Sequence, residues 1–225
     1  MNEARLTVPR GRWRVLIVDD HPLVRAGIAA LIGGEPDLEV CGEAGTFGEA
    51  LELARGTGPD LAILDLSLAE GSGLELVKRL KRGEHDIRIL VCSLHDESLF
   101  AQRALNAGAM GYINKQEATS NVIQAIRRVL SGKIYLSKRM TERLLQGFAG
   151  GELVGAMPPI RSLTDRELEV FSLIGRGLST SRIAEQLHLS VKTVEAHREK
   201  IKKKLNLDSG SELMRYAVQW TLEQG

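Results

Sequence analysis

Residues 15–20 read VLIVDD, four apolar side chains in a row followed by two aspartates. A short apolar run that ends in polar residues is typical of a strand buried on both faces of a parallel sheet. Further runs of this kind stand at Leu38–Cys41, Leu61–Leu64, Ile87–Cys92 and Gly111–Ile113. Segments with helical spacing of apolar residues follow these runs, at Leu23–Leu31, Phe47–Ala54, Gly73–Leu80, Leu99–Asn106 and Val122–Leu130. Residues 13–130 therefore predict one α/β domain, a doubly wound five-stranded parallel sheet with five helices.

The rest of the chain shows helical patterns. Residues 161–225 predict a second, all-α domain of four helices, at about residues 165–175, 180–187, 191–205 and 210–222. Two of these helices are expected to begin in a capping box, Thr164–Glu167 and Ser209–Glu212, which satisfies free N–H groups at the helix start. Residues 131–160 predict a linker with one helix, Ser137–Phe148, followed by GGELVGAMPPI (residues 150–160), whose Gly and Pro content is typical of linkers.

Charge is distributed unevenly along a chain whose formal net charge is only +1. Residues 1–130 carry 15 Lys or Arg against 18 Asp or Glu, a net of −3, and residues 161–225 carry 11 against 9, a net of +2. Six basic side chains lie within Lys192–Lys204. An acidic first domain and a locally basic second domain indicate different partners for the two.

Nothing in the sequence indicates export or a membrane partner. The first 13 residues, MNEARLTVPRGRW, lack the apolar core of a signal peptide. No apolar run approaches the roughly 20 residues that cross a bilayer. Cys41 and Cys92 stand within apolar stretches, as reduced core residues do. We therefore expect a cytoplasmic protein.

Reactive residues follow four of the five predicted strands: Asp19 and Asp20, then Asp65, Ser93 and Lys115. The carboxyl ends of parallel strands meet at one edge of a sheet, so these side chains are expected to share a pocket. Three carboxylates brought together need a cation, and hard oxygen ligands favour Mg²⁺. A carboxylate can accept a phosphoryl group while a metal and a lysine stabilise the charge on its oxygens. For any one acid, the alternative is that it only caps the following helix.

The strings VLIVDDHPLVRAGI, DLAILDLSLAEGSGLE, CSLHDE and GAMGYINK resemble the receiver domains of two-component response regulators, most of all the NarL/FixJ branch. The resemblance implies a flavodoxin-like fold, a histidine kinase as partner, and Mg²⁺ as cofactor. It implies that Asp65 accepts the phosphoryl group and that Lys115 contacts the phosphate. It implies that Mg²⁺ is bound by Asp19, Asp20, Asp65 and the backbone carbonyl of Ser67. It also implies that Ser93 and Tyr112 together form the switch. Tyr112 could instead be a core aromatic residue. Such a protein accepts a phosphoryl group but is not a dedicated enzyme.

One position departs from this family's pattern. The family usually has proline four residues after the phosphoacceptor, and here that residue is Ala69. Proline fixes φ, so alanine gives the loop more freedom and leaves the phosphorylation kinetics open. Ala69 also supports an alternative function, a phosphorylation-independent DNA-binding regulator whose receiver serves only protein interaction. A second alternative, a flavodoxin-like enzyme or ligand-binding module, would favour a glycine-rich phosphate loop where this chain reads DDHPLV.

The segment LTDRELEVFSLIGRGLSTSRIAEQLHLSVKTVEAHREKIKKKL, within residues 162–222, resembles a LuxR-type helix-turn-helix. His188–Ser190 would form the turn and residues 191–205 the recognition helix, which enters the major groove of duplex DNA. The resemblance puts Glu195, Ala196 and Glu199 opposite base edges. The residues expected to contact phosphates are Lys192, Thr193, Arg198, Lys200 and Lys203. The alternative for this basic run is a solvated helix face.

The last predicted helix carries an apolar stripe of Leu213, Tyr216 and Trp220. Core packing would explain Leu213, and we predict that the stripe pairs two chains, so that phosphorylation gives a homodimer with its recognition helices about one DNA turn apart. The charges of the two domains also predict a resting state in which the receiver covers part of residues 191–205. Phosphorylation would then release the recognition helix.

Overall fold

The computed structural model describes residues 11–68, 72–83, 86–149 and 159–224. Its strands are β1 (Trp13–Val18), β2 (Leu38–Ala44), β3 (Leu61–Leu64), β4 (Arg88–Ser93) and β5 (Gly111–Asn114). They form one all-parallel sheet in the order β2-β1-β3-β4-β5. The predicted five-stranded parallel sheet is therefore confirmed. The order reverses beside β1, so the carboxyl ends of β1 and β3 flank the crevice in which doubly wound folds bind ligands.

Five helices alternate with these strands: α1 (Pro22–Gly33), α2 (Phe47–Thr57), α3 (Gly73–Arg82), α4 (Glu97–Ala107) and α5 (Lys115–Leu130). The prediction was wrong about the start of α5, which lies seven residues before the predicted Val122. The Asn114 side chain caps α5 by accepting a hydrogen bond from the Gln116 N–H at 3.0 Å. The chain therefore passes from strand to helix without a loop, and Lys115 is the first helical residue.

Two hydrophobic layers cover the sheet. Along β1, Val15 and Ile17 join the layer under α1 and α5, whereas Leu16 and Val18 join the layer under α2, α3 and α4. This alternation follows from the two-residue period of a strand. Because both faces are covered by helices, a ligand can approach the sheet only at its edges, where the strands end.

The second domain follows α6 (Lys138–Ala149) and a 3₁₀ turn (Pro159–Ser162). It consists of α7 (Asp165–Gly175), α8 (Thr180–Gln186), α9 (Val191–Leu205) and α10 (Gly210–Gln224), which confirms the four predicted helices to within two residues at each end. Most of the predicted Gly- and Pro-rich linker, residues 150–158, lies outside the described residues. No helix in the described ranges combines the length and the apolar character that a membrane crossing requires.

Side-chain caps fix where these helices start. Thr164 and Glu167 form the predicted capping box of α7. At α10, Ser209 accepts the Glu212 N–H at 3.1 Å as predicted, but Glu212 Oε2 accepts the N–H of Asp208 at 2.9 Å. Ser190 caps α9 through the Thr193 N–H at 3.0 Å. The Ser190 cap starts α9 directly after the tight turn that a helix-turn-helix requires.

Candidate functional site

The carboxyl edge of the sheet brings Asp19, Asp65 and Lys115 into contact. The Lys115 ammonium lies 2.6 Å from Asp65 Oδ2 and 2.6 Å from Asp19 Oδ2. The three side chains are 8, 2 and 3% exposed for Lys115, Asp65 and Asp19 respectively. The two acids end neighbouring strands, and the lysine reaches them because α5 begins immediately after β5. The three residues therefore form one buried ionic cluster.

Asp20 and His21 extend this cluster towards α1. Asp19 Oδ1 accepts the His21 N–H at 2.9 Å. The His21 Nδ1 lies 2.6 Å from Asp20 Oδ1 as an ion-pair contact. Asp20 Oδ1 and Asp65 Oδ1 are both buried without a hydrogen-bond partner. One ligand atom from each of Asp19, Asp20, His21 and Asp65 lies within 4.8 Å of the others. Buried unpaired oxygens are rare in native proteins, and a mostly carboxylate donor set suits Mg²⁺.

The protonation states in the cluster follow from burial and charge. Burial raises the pKa of Asp19, the charge of Asp65 raises it further, and Lys115 opposes both without cancelling them. Burial lowers the pKa of Lys115, but the carboxylates of Asp65 and Asp19 outweigh that effect and leave its pKa raised. Lys115 therefore stays an ammonium. It supplies a fixed positive charge beside the free Asp65 oxygen.

Ser93 and Tyr112, the predicted switch pair, line the same edge from β4 and β5. Neither has accessible surface. The Tyr112 hydroxyl donates a hydrogen bond to the backbone carbonyl of His95 at 2.9 Å. Burial, and then the charge of Asp65, raise the pKa of this phenol well above its usual value. Tyr112 is therefore a core aromatic residue that also touches the loop after β4, and its part in a switch stays a prediction.

His95 is a residue of the site that the sequence reasoning missed. It is buried, its ring stacks on Phe100 with centroids 4.6 Å apart, and its Nε2 lies 2.9 Å from Ser67 Oγ. Its backbone N–H donates to Ser93 Oγ at 3.4 Å. Burial, followed by nearby cationic side chains, lowers its pKa to about 3, so the ring is neutral. The signal available in the sequence was its position two residues after Ser93. His95 links the loop after β3 to the loop after β4.

The outward face of α9 is available to solvent. Val194, Ile201 and Leu205 are buried on the inner face, as the sequence predicted. Six of the residues predicted to contact DNA are exposed, namely Lys192, Glu195, Ala196, Glu199, Lys200 and Lys203. Thr193 and Arg198 are partly buried, and Thr193 Oγ1 lies 2.7 Å from Ser190 Oγ.

Any part of residues 191–205 that the receiver covers in the resting state therefore does not include these six exposed residues, and that expected state stays a prediction. The two domains do contact each other, but through other surfaces. The charges at these contacts are partly opposite to the expectation. Lys78 and Arg103 of the receiver face Asp165 of the second domain, whereas His188 of the second domain faces Asp20 of the receiver.

The predicted dimer stripe is mostly internal. Leu213 has no accessible surface, so it belongs to the core and offers no contact to a second chain. Tyr216 and Trp220 are partly buried, and their rings lie 6.0 and 6.4 Å from that of Phe171 in α7. The stripe packs inward because α10 lies against α7. A dimer contact for Tyr216 and Trp220 stays a prediction.

Ala69, the position that departs from the family pattern, lies outside the described residues. The loop beside the cluster is described up to Leu68 and again from Ser72. The alternative function that rested on Ala69 gains no support from the described residues.

Comparisons with known proteins cover both domains. Residues 15–127 match the response regulator receiver domain, and residues 161–217 match bacterial regulatory proteins of the luxR family. The chain is 37% identical over 209 residues to the oxygen regulatory protein NreC of Staphylococcus carnosus, which covers 91% of this chain and 96% of that protein. It is 34% identical over 204 residues to the response regulator UvrY of Escherichia coli K12, covering 91% of this chain and 93% of that protein.

Among solved structures, RcsB of Salmonella enterica serovar Typhimurium, bound to the promoter rprA in the presence of the phosphomimetic BeF3⁻, aligns with a TM-score of 0.60. The alignment covers 92% of this chain and 98% of that chain at 24% identity. At this identity the similarity shows a shared fold.

The buried cluster makes the stability of the protein depend on Lys115. In Lys115→Met the carboxylates of Asp19 and Asp65 lose their shared counterion, and we expect a loss of about 3–5 kcal/mol in the free energy of unfolding. The pKa of Asp19, already raised, should rise further. Between the ordinary pKa of an aspartate and the raised pKa of Asp19, the folded variant then binds more protons than the unfolded chain. The free energy of unfolding of the variant therefore falls as pH rises between these two values.

Urea denaturation at pH 5 and pH 8 measures both effects. The loss should be larger at pH 8, and added Mg²⁺ should recover part of it. Lys133→Met, which removes an exposed lysine, should change stability by no more than about 0.5 kcal/mol. An equal loss at the two pH values would show that the two carboxylates are not coupled through Lys115.

Proposed function

Because this chain belongs to the response regulators that join a receiver domain to a LuxR-type DNA-binding domain, we propose that Asp65 is its phosphoacceptor. The protein is a transcription regulator controlled by phosphorylation. One observation carries the assignment: Asp65 Oδ1 is buried without a hydrogen-bond partner while Asp65 Oδ2 is held by Lys115. We take residues 13–130 as the receiver, 131–160 as the linker and 161–225 as the DNA-binding domain.

The phosphoryl transfer uses the free oxygen of Asp65. In our proposal Asp65 Oδ1 attacks the phosphorus of a phosphohistidine on a partner histidine kinase. A P–O bond forms, the P–N bond breaks, and the leaving imidazole takes up a proton. Lys115 holds the carboxylate in place and donates to the new phosphoryl oxygens, and its raised pKa keeps it charged throughout.

Mg²⁺ fits the donor set of this pocket. Asp19, Asp20, Asp65 and the backbone carbonyl of Ser67 would hold it, and the mutual distance of at most 4.8 Å between ligand atoms of the three acids supports this choice. When bound, Mg²⁺ supplies positive charge that neutralises the transferring oxygens. Asp19 then has two tasks, since it also positions Lys115.

The phosphorylated state is read through Ser93 and Tyr112. Both side chains are buried, Ser93 at the end of β4 and Tyr112 in β5, and the charge of Asp65 acts on the Tyr112 phenol, whose pKa it raises. We expect a phosphoryl group on Asp65 to come within reach of Ser93 Oγ. The Tyr112 hydroxyl donates a hydrogen bond to the loop after β4, and α4 begins directly after that loop, so we expect a movement of the loop to reach α4. A change at the pocket thereby reaches the surface on which the second domain lies.

The output is sequence-specific binding of duplex DNA by α9. Glu195, Ala196 and Glu199 are proposed to read bases; Lys192, Thr193, Arg198, Lys200 and Lys203 are proposed to contact phosphates. Two acids on this face weaken non-specific attraction, which favours a homodimer on two half-sites, with Tyr216 and Trp220 as proposed contacts. A DNA partner also implies a cytoplasmic location.

The phosphoacceptor is tested by intact mass. With acetyl phosphate and Mg²⁺, the wild-type mass should rise by one phosphoryl group, and chelation of Mg²⁺ should suppress the rise. Asp65→Asn should show no rise, because an amide does not accept the group. Asp86→Asn, which alters an acid that is 90% exposed and distant in sequence, should be labelled like the wild type. Labelling of Asp65→Asn to the wild-type extent would refute the assignment.

The recognition helix is tested by separating affinity from sequence preference. In the full-length protein, Lys203→Ala should weaken binding to every duplex alike and reduce the salt dependence by about one counterion. Glu199→Ala should change the sequence selected from a random duplex library, because a base-facing acceptor is lost. Lys138→Ala removes a lysine that is 91% exposed on α6 and should leave both properties unchanged. If Glu199→Ala selects the wild-type sequence, α9 does not read bases through this residue.

A further inference from the structure

The DNA-binding domain lies over the carboxyl edge of the receiver sheet. Arg103 in α4 donates one hydrogen bond to Asp165 Oδ1 at 2.7 Å and another to the Leu163 carbonyl at 2.8 Å. On the same edge, Arg176 at the end of α7 donates to the Leu94 carbonyl in the loop after β4, at 2.7 Å. These contacts attach α7 to the receiver at both of its ends, to α4 at its start and to the loop after β4 at its end.

The turn between α8 and α9 reaches the acidic cluster itself. The His188 Nε2 lies 3.3 Å from Asp20 Oδ2. His188 has φ of 51°, a left-handed conformation uncommon for residues other than glycine, and this conformation makes the tight turn between the two helices. The side chain of a DNA-binding domain residue is therefore in contact with a carboxylate proposed to bind Mg²⁺.

In this arrangement the oxygens of the cluster are largely engaged. Asp19 contacts the His21 N–H through Oδ1 and Lys115 through Oδ2. Asp20 has His21 beside Oδ1 and His188 beside Oδ2. Asp65 retains one oxygen, Oδ1, without a partner, and its side chain is only 2% exposed. A divalent ion and a phosphodonor both need access to this cluster, and the turn between α8 and α9 contacts the cluster at Asp20.

The DNA-reading face is free in the same arrangement. Glu195, Ala196, Glu199 and Lys203 are exposed although the domains are docked. The docking therefore restricts the phosphorylation pocket more directly than it restricts the exposed DNA-contact residues.

We propose that the DNA-binding domain and the divalent ion compete for the acidic pocket, with the His188 turn acting as a removable cap on Asp20. This proposal rests on the Mg²⁺ site of the proposed function. Capping withdraws a metal ligand and shields Asp65, so the resting protein is slow to load the ion and the phosphoryl group. Coupling between two binding events is reciprocal. A bound ion therefore lowers the equilibrium constant of docking by the same factor by which docking lowers the affinity for the ion.

The contact between Arg103 and Asp165 provides a test that separates docking from simple charge. Arg103→Ala removes a positive charge and Asp165→Asn removes a negative charge, yet each breaks the same interdomain contact. Neither residue belongs to the acidic pocket or to the DNA-reading face. A third variant, His188→Asn, removes the cap itself and keeps a residue that tolerates the left-handed backbone.

The measurement is equilibrium binding of Mn²⁺, a surrogate for Mg²⁺, to the full-length protein, counted from the electron paramagnetic resonance signal of the free ion. The radius of gyration of each sample is recorded by small-angle X-ray scattering. We expect all three variants to bind Mn²⁺ roughly three- to ten-fold more tightly than the wild type and to be more expanded without the ion. Saturating Mn²⁺ should expand the wild type. Arg215→Ala, at an exposed position on α10, serves as the charge control and should match the wild type in both readings.

The alternative outcomes are distinct. Tighter binding by Arg103→Ala with weaker binding by Asp165→Asn would mean that only charge matters and would overturn the competition. Variants that expand without a change in Mn²⁺ affinity would overturn it as well, while leaving the metal site intact. Absence of Mn²⁺ binding in every protein, including the variants, would refute the metal site of the proposed function.

Discussion

The structure depends on a buried ammonium placed between two buried carboxylates. Lys115 lies 2.6 Å from an oxygen of Asp19 and 2.6 Å from an oxygen of Asp65, and all three side chains are almost inaccessible. Unpaired, either carboxylate would be costly to bury, and two side by side would repel each other. The arrangement is possible because β1, β3 and β5 end at one edge and α5 starts without a loop. It leaves Asp65 Oδ1 without a hydrogen-bond partner, and this is the oxygen that we propose accepts the phosphoryl group.

The second domain depends on that edge as well. Its α7 is attached to α4 through Arg103 and to the loop after β4 through Arg176, and its helix-turn-helix turn brings His188 to Asp20. The hydrophobic cluster under α2, α3 and α4 is continuous with the core of the DNA-binding domain. A rearrangement of the pocket can therefore alter directly the receiver surface that the DNA-binding domain contacts.

Much of the fold and of the pocket could be predicted from sequence, because each rests on a local rule. Apolar runs followed by Asp19, Asp65 or Ser93 identify strand ends, and the topology of a parallel sheet brings them together. The start of α5 was missed because its first turns, KQEATSN, are polar and carry no apolar period. The packing of Tyr216 and Trp220 against α7, the role of His95 and the contact of the His188 turn with Asp20 required tertiary information. An apolar stripe does not reveal which helix it meets, and net charge does not reveal which faces of two domains touch.

We propose that the state of the acidic pocket controls the output of the DNA-binding domain. It is tested most directly by titrating full-length protein with the duplex that it selects from a random library, with and without BeF3⁻ and Mg²⁺. We expect binding roughly 5–150-fold tighter with the phosphate mimic, the range that coupling between two sites usually gives. Equal affinity in the two states, with the mimic shown to be bound, would contradict it.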